Sequence, residues 1–318
     1  MRYWIENELL KAEISELGAT LCRLIDKRSK TDVVLGYDTD EEYRNNAGNV
    51  GASIGRNANR IGNACFELNG EKYQLTVNDH MNQLHGGGIN GFAFKMWKTE
   101  KATDTEIVLS YFSKDGEEGF PGNLKVLVTY RLEGDSLLFE FSGSSDRDTL
   151  FNMTNHSYFN LGDENILNEY LHITTDRYSP TDDCALTLDE VLDTADTPYD
   201  FSSFTKLEDN LSKLPSGIDN NYVWETMGDK LMAELKNDRL QLNVYSDLPD
   251  MHLYTAFHLG TQHGKYDIAY GRYKGICLEC QYYPNGINYG RKYLLPILKK
   301  DETMTHYIRY QLKNLDGE

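Results

Sequence analysis

The strongest constraint on this chain is a hydrophobic period of two that keeps returning. Val126, Val128, Tyr130 and Leu132 alternate with Leu127, Thr129 and Arg131; Glu133-Gly134-Asp135 then offers a turn, and Leu137-Leu138-Phe139-Glu140-Phe141 leads back. Alternation sends successive side chains to opposite faces of a strand, so this pattern predicts an antiparallel hairpin. The same reading gives Cys65 to Leu68 with an Asn69-Gly70 turn and a return over Tyr73 to Val77, and Leu231 to Leu235 with a turn near Asn237-Asp238 and a return over Leu240 to Tyr245. Helical periodicity is weak, with short candidates only at Asp40 to Arg44 and Phe204 to Leu211. Alternating βα units are therefore not expected, and no P-loop is present. Turn signals arrive at short intervals with no linker, charge block or repeat between them. We expect an all-β chain, a large antiparallel β-sandwich with few short helices, forming one domain over residues 1–318.

Charge narrows the partners. The 50 acidic residues against 32 basic ones leave a net −18, which repels polyanions, so neither nucleic acid nor an anionic membrane is an expected partner. No stretch approaches the length of a membrane span, and the first residues do not read as a secretion signal. Five scattered cysteines, Cys22, Cys65, Cys184, Cys277 and Cys280, form an odd set that suits reduced thiols, so a cytoplasmic protein is expected. The 22 tyrosines suit both sheets and polar ligands.

Four segments set polar, titratable side chains beside glycine, proline or aromatic residues. In Gly55-Arg56-Asn57-Ala58-Asn59-Arg60-Ile61-Gly62, Arg60 either presents its donor fork to hydroxyl oxygens or pairs with a carboxylate. In Gln83-Leu84-His85-Gly86-Gly87-Gly88, running on through Phe92 to Trp97, the glycines leave the imidazole uncrowded and the aromatics could stack on a ring-shaped ligand; otherwise His85 is a turn residue and Trp97 core. In Asn152 to Gly162, alternation places His156 and Tyr158 on one strand face, where a histidine can trade a proton near neutral pH. In Gly275 to Gly286, Glu279 lies within an apolar run that reads as an interior strand, where desolvation makes a carboxylate more basic. Cys277 and Cys280 have a C-x-x-C spacing but no second pair, so they read as small core residues and no metal is expected. Asp219 in Gly217-Ile218-Asp219-Asn220 is by itself an ordinary turn aspartate. No His-Glu-x-x-His pair appears.

Taken together, these segments resemble the aldose 1-epimerase (galactose mutarotase) family, in order from about Leu17 to Tyr310. Gly55 to Ile61 is similar to its Gly-Arg-x-x-Asn-Arg-Ile element, Leu84 to Gly87 to its Leu-His-Gly-Gly, and Asn155 to Gly162 to its Asn-His-Ser-Tyr-Phe-Asn-Leu-Gly. Asp115 to Gly122, Thr197 to Phe201, Gly217-Ile218-Asp219 and Leu278-Glu279 with Gln281 and Pro284 follow in the family's order. The resemblance implies a sandwich of the galactose-mutarotase type with an open sugar cleft. It implies Glu279 as the base on the C1 hydroxyl and His156 as the acid on the ring oxygen, with Arg60, His85 and Asp219 on the sugar hydroxyls and Asn59 and Tyr158 beside them. Opening a cyclic hemiacetal requires one proton removed and one delivered, which two fixed groups can do without a cofactor.

The chain departs from the family pattern at Cys280 (commonly threonine), Asn220 (histidine), Asn285 (aspartate) and Tyr254 to His258 (Tyr-Thr-Gly-Asn). Two alternatives stay open: a hexose-6-phosphate 1-epimerase, which would gather cations such as Arg272, Lys274, Arg291 or Lys292, and a non-catalytic sugar-binding protein.

Overall fold

The computed structural model describes residues 1–46, 48–290 and 293–315. The expected hairpin forms from Leu124–Glu133 and Ser136–Ser145, with Val128 opposite Phe141 and Tyr130 opposite Phe139. Every second residue from Leu124 to Leu132 is buried, as period-two patterning requires. Among the described residues this hairpin sits within a nine-stranded sheet, and a second sheet has six strands. Every pairing in both is antiparallel. The long strand Thr303–Asn314 pairs with Ser136–Ser145 on one side and Leu240–Ser246 on the other, so the end of the chain joins its two central hairpins.

The two sheets share an apolar core. Val126, Phe139 and Phe141 of the larger sheet belong to the same buried cluster as Tyr222, Leu253 and Leu278 of the smaller. Burying one such ring is worth about 1.5–3 kcal/mol relative to leaving it in water, so this layer of contacts fixes the smaller sheet over the larger. The expected sandwich is thus observed, with α-helix among the described residues confined to Asp40–Arg44 and Leu207–Leu211.

Two local expectations shift. Asn69 and Gly70 both have positive φ, at 55° and 80°, as a tight two-residue hairpin turn demands. Pairing therefore resumes at once, Leu68 opposite Glu71, and the return strand is Glu71–Gln74 rather than 73–77. The helix expected from Phe204 begins only at Leu207, because Thr205–Lys206 instead extends the edge of the large sheet against Tyr170 and Leu171.

The smaller sheet positions the chemistry. All six residues of Ile276–Gln281 are buried. Ile276, Leu278 and Cys280 join the apolar core. Cys277, Glu279 and Gln281 alternate with them onto the other face. On that face Glu279 lies opposite His252, which lies opposite Asn221; Cys277 lies opposite Tyr254, which lies opposite Asp219.

Candidate active site

That polar face floors a cleft of about 640 Å³, a volume typical of small-ligand sites. Asn59, Arg60, His85, His156, Tyr158, Asp219 and Glu279 all line it. Residues far apart in sequence thus meet in one place, each brought there by a separate local device.

Arg60 and Ile61 pair with Leu84 and Gln83 in a short ladder, which sets Asn59 beside His85. The Asn59 N–H donates to His85 Nδ1 at 3.2 Å and the His85 N–H donates to the Asn59 carbonyl at 3.2 Å. Both residues are left-handed, at φ 61° and 54°, a conformation asparagine and histidine tolerate better than most. Gly86, directly after His85, serves close backbone packing rather than open space. A Cβ on Gly86, at φ +74°, would stand 2.1 Å from the Gly55 carbonyl oxygen. Gly86→Ala is therefore expected to destabilise the fold by about 1–3 kcal/mol, measurable as a lower melting temperature. Phe92 and Trp97 pack against each other in the core, at 2% exposure each, and do not reach the cleft.

Arg60 satisfies both of its sequence readings: it lines the cleft while its Nε donates to Asp79 at 2.7 Å. Its neighbour Arg56 is structural. Buried at 2% exposure, Arg56 donates to the carbonyls of Ser113, Lys114 and Pro121 and to Ser113 Oγ, so it anchors the Asp115 to Gly122 loop beneath the site.

His156 is turned into the cleft by its neighbours. Asn155 Nδ2 donates to Tyr130 Oη and to the Gly51 carbonyl, and Ser157 Oγ donates to Asn155 Oδ1. With these two held toward the interior, the imidazole between them faces Glu279, its Nε2 3.6 Å from Glu279 Oε1. The ring stacks on Tyr158 with centroids 5.1 Å apart and meets His85 edge-on, also at 5.1 Å. The Tyr158 hydroxyl donates to the Gly48 carbonyl at 2.8 Å, so this tyrosine presents the cleft chiefly with its ring.

Burial dominates the electrostatics. It pushes the Glu279 carboxyl well above the ordinary carboxylate range, with the charge of Asp219 acting in the same direction. It lowers the His156 imidazole to about 4 and drives His85 well below the usual range. Asp219 behaves oppositely: burial would raise it, but the hydrogen bond with His252 Nε2 at 2.6 Å and the charges of His252 and Arg60 hold it below the usual carboxylate value. The floor therefore offers one carboxyl inclined to hold a proton, an imidazole inclined to release one, and a carboxylate fixed in its charged form.

His85, His156 and Glu279 place ligand-type atoms within 4.8 Å of one another, but the donor set suits proton transfer better than a metal. His85 Nδ1 already accepts the Asn59 N–H, which leaves the proton of the neutral ring on Nε2 and no free lone pair for an ion.

His252 was not singled out from sequence. The alternation in Asp250-Met251-His252-Leu253-Tyr254 could have placed it on one face with Tyr254, but only the register with Glu279 makes that face the cleft floor. Several departures from the family pattern prove local. Asn220 points the other way and donates to the Ser179 carbonyl, and Asn285 Oδ1 accepts the Gly62 N–H. Ala256 adopts φ 52° where the pattern has glycine, so the turn keeps a left-handed residue and carries His258 to the cleft wall. Cys277 and Cys280 are buried free thiols, as read.

Comparison with known proteins agrees across the chain. The family described as aldose 1-epimerase matches residues 1–311. The galactose mutarotase of Sus scrofa is 34% identical over 311 residues, covering 94% of this chain and 90% of its own. The aldose 1-epimerase of Escherichia coli K12 is 33% identical over 298 residues, covering 89% and 86%. Among solved structures, an aldose epimerase homologue from C. elegans superposes with a TM-score of 0.91 at 26% identity, covering 99% of this chain and all of its own. Galactose 1-epimerase from Lactobacillus acidophilus NCFM gives 0.86 at 27% identity, covering 98% and 93%.

Proposed function

The chain belongs to the aldose 1-epimerase family, and from that premise we propose how its cleft interconverts the α and β anomers of free hexoses such as galactose and glucose. The observation that carries the reading is the buried pair of Glu279 and His156, 3.6 Å apart on the cleft floor.

The pair works with one proton between its members. In the reactive arrangement Glu279 is a carboxylate and His156 an imidazolium. Glu279 takes the proton of the C1 hydroxyl while His156 Nε2–H protonates the ring oxygen; the C1–O5 bond breaks and a carbonyl forms at C1. The open aldehyde turns about C1–C2, O5 adds to the other face, its proton returns to His156, and Glu279 gives its proton back to the C1 oxygen. Atoms and charge balance over the cycle. Burial favours the neutral pair that exists at the open-chain stage, so proton transfer within the site runs downhill while ring opening runs uphill. Arg60, His85, Asp219 and Asn59 hold the sugar hydroxyls, and Tyr158 supports His156 from behind.

A phosphosugar is the poorer fit. Among the described residues lining the cleft, Arg60 is the one arginine or lysine, and it is paired with Asp79. Asp79, Asp183 and Asp219 line the same space, which opposes a dianion. Lys274 donates to the Glu164 carbonyl and Arg272 lies over the Phe257 ring, both outside the cleft lining; Arg291 and Lys292 lie outside the described residues. We read the whole chain as one catalytic domain with a small sugar, rather than nucleic acid or membrane, as its partner. Its five free thiols suit a reducing cytoplasm.

The direct test follows the optical rotation of freshly dissolved α-D-galactose and α-D-glucose with and without the protein, and hexose 6-phosphates by anomer-resolved NMR. Faster approach to equilibrium with the free sugars is expected. Acceleration confined to the phosphates would overturn the substrate assignment, and sugar binding without acceleration would overturn the enzyme.

A further inference from the structure

The proton cycle requires His156 to gain and lose its proton at Nε2, the nitrogen facing Glu279. A neutral imidazole can do this only if its other proton stays on Nδ1, since the opposite tautomer would have to pass through an imidazolate. Something must therefore hold a proton on Nδ1. The group beside that nitrogen is the Cys277 sulfur, 3.5 Å away.

We propose that Cys277 is a positioning residue. A hydrogen bond from His156 Nδ1–H to the Cys277 sulfur keeps His156 in the tautomer its catalytic cycle needs. The inference rests on the acid role given to His156 above.

A backbone carbonyl only accepts, so at 2.8 Å from Gly48 the Tyr158 hydroxyl must donate. Its single proton is then committed, so Tyr158, the cross-strand neighbour of Cys277, has none left to donate to the sulfur. The sulfur lone pairs are thus left for the His156 Nδ1–H, 3.5 Å away. Burial keeps the thiol protonated by pushing its pKa well above the ordinary range, and the charges of Glu279 and Asp219 add to this, so the ring meets a neutral thiol.

Sulfur also explains a second feature of the site. Many acid–base histidines lean on a carboxylate, which fixes the same tautomer but makes the imidazolium a weaker acid. A thiol orients the ring without adding a negative charge. The other groups facing His156 are its own backbone carbonyl, which also favours a proton on the ring, the ring of Tyr158, the edge of His85, the Glu279 carboxyl, and the more distant charges of Asp219 and His252; among side chains the sulfur is the atom beside Nδ1.

The first test needs no variant. In 15N-labelled wild-type protein at neutral pH, His156 is expected to show a protonated Nδ1 and a pyridine-like Nε2, assigned among the eight histidines by the signals missing in His156→Gln. The reverse pattern would overturn the proposal. The second compares Cys277→Val, which retains packing without a polar atom, with Cys277→Ser. Cys277→Val is expected to lower kcat about 10-fold, less than the ~10²–10⁴ carried by the acid itself, with KM changed by less than about twofold and Cys277→Ser recovering most of the loss. A Cys277→Val enzyme that turns over at the wild-type rate, while His156→Gln is slowed ~10²-fold or more, would sink the role of Cys277 alone; a His156→Gln enzyme that keeps the wild-type rate would sink the site reading beneath it. Should either cysteine variant melt early, the wild-type tautomer decides.

Discussion

Glu279→Gln is expected to slow anomer interconversion by roughly 10³-fold while sugar binding changes by no more than a few-fold. Glutamine has nearly the same shape and keeps an oxygen and a nitrogen where the two carboxyl oxygens were, so the floor of the cleft stays packed. It cannot accept the C1 proton. The Glu279 Oε2 atom has no hydrogen-bond partner within the protein, so no existing protein contact of that atom is lost. That orphaned oxygen is also what a base should look like before its substrate arrives, because a buried carboxyl oxygen without a partner is costly unless a ligand completes it. Initial rates by polarimetry and galactose affinity by calorimetry, run on the same preparation, separate the two effects. An unchanged rate would remove Glu279 as the base; lost rate together with lost binding would make it a sugar anchor instead.

The fold was more legible in the sequence than the full site was. Period-two runs such as Val126 to Leu132 fix strand, face and hairpin together, because a one-residue slip would turn every buried side chain to water. Edge segments were harder: whether Thr205–Lys206 begins a helix or extends a sheet depends on Tyr170 and Leu171, which are thirty-odd residues away and leave no local trace. The same limit applies within the cleft. Glu279 stood out because a carboxylate in an apolar strand is costly, and His85 and His156 because glycine and amide-rich neighbours are unusual around a core histidine. His252 had no such mark. Its place beside Asp219 follows from the pairing of three strands, Asp219–Val223, Asp250–Tyr254 and Ile276–Gln281, and register between distant strands is what a sequence states least directly. The bland readings also had physical content. Arg60 pairs with a carboxylate and still lines the cleft, and Gly86 after His85 is there for the Gly55 backbone, so site and scaffold use the same residues.

Removing the acid should reveal that the two groups act as one unit. His156→Gln is expected to lower kcat by ~10²–10³-fold, and the His156→Gln, Glu279→Gln double variant to be little slower than Glu279→Gln alone, since a proton that cannot be removed from one end gains nothing from delivery at the other. The pH profile carries the same logic with a definite sign. The working pair holds one proton. Below the His156 value of about 4 the pair takes up a second proton, Glu279 is already neutral, and no base remains, so kcat/KM falls as pH drops through that value. Above the raised value of Glu279 the pair loses its only proton and no acid remains, so the rate falls again. Between the limbs lies a broad plateau spanning neutral pH, because burial pushes the two groups in opposite directions. Anomer-resolved NMR, with the spontaneous reaction subtracted at each pH, gives kcat/KM across the range, and the limb near 4 should vanish in His156→Gln. Independent, additive losses from the two substitutions, or a limb that survives without the imidazole, would mean that Glu279 and His156 do not share a proton and that the acid lies elsewhere in the cleft.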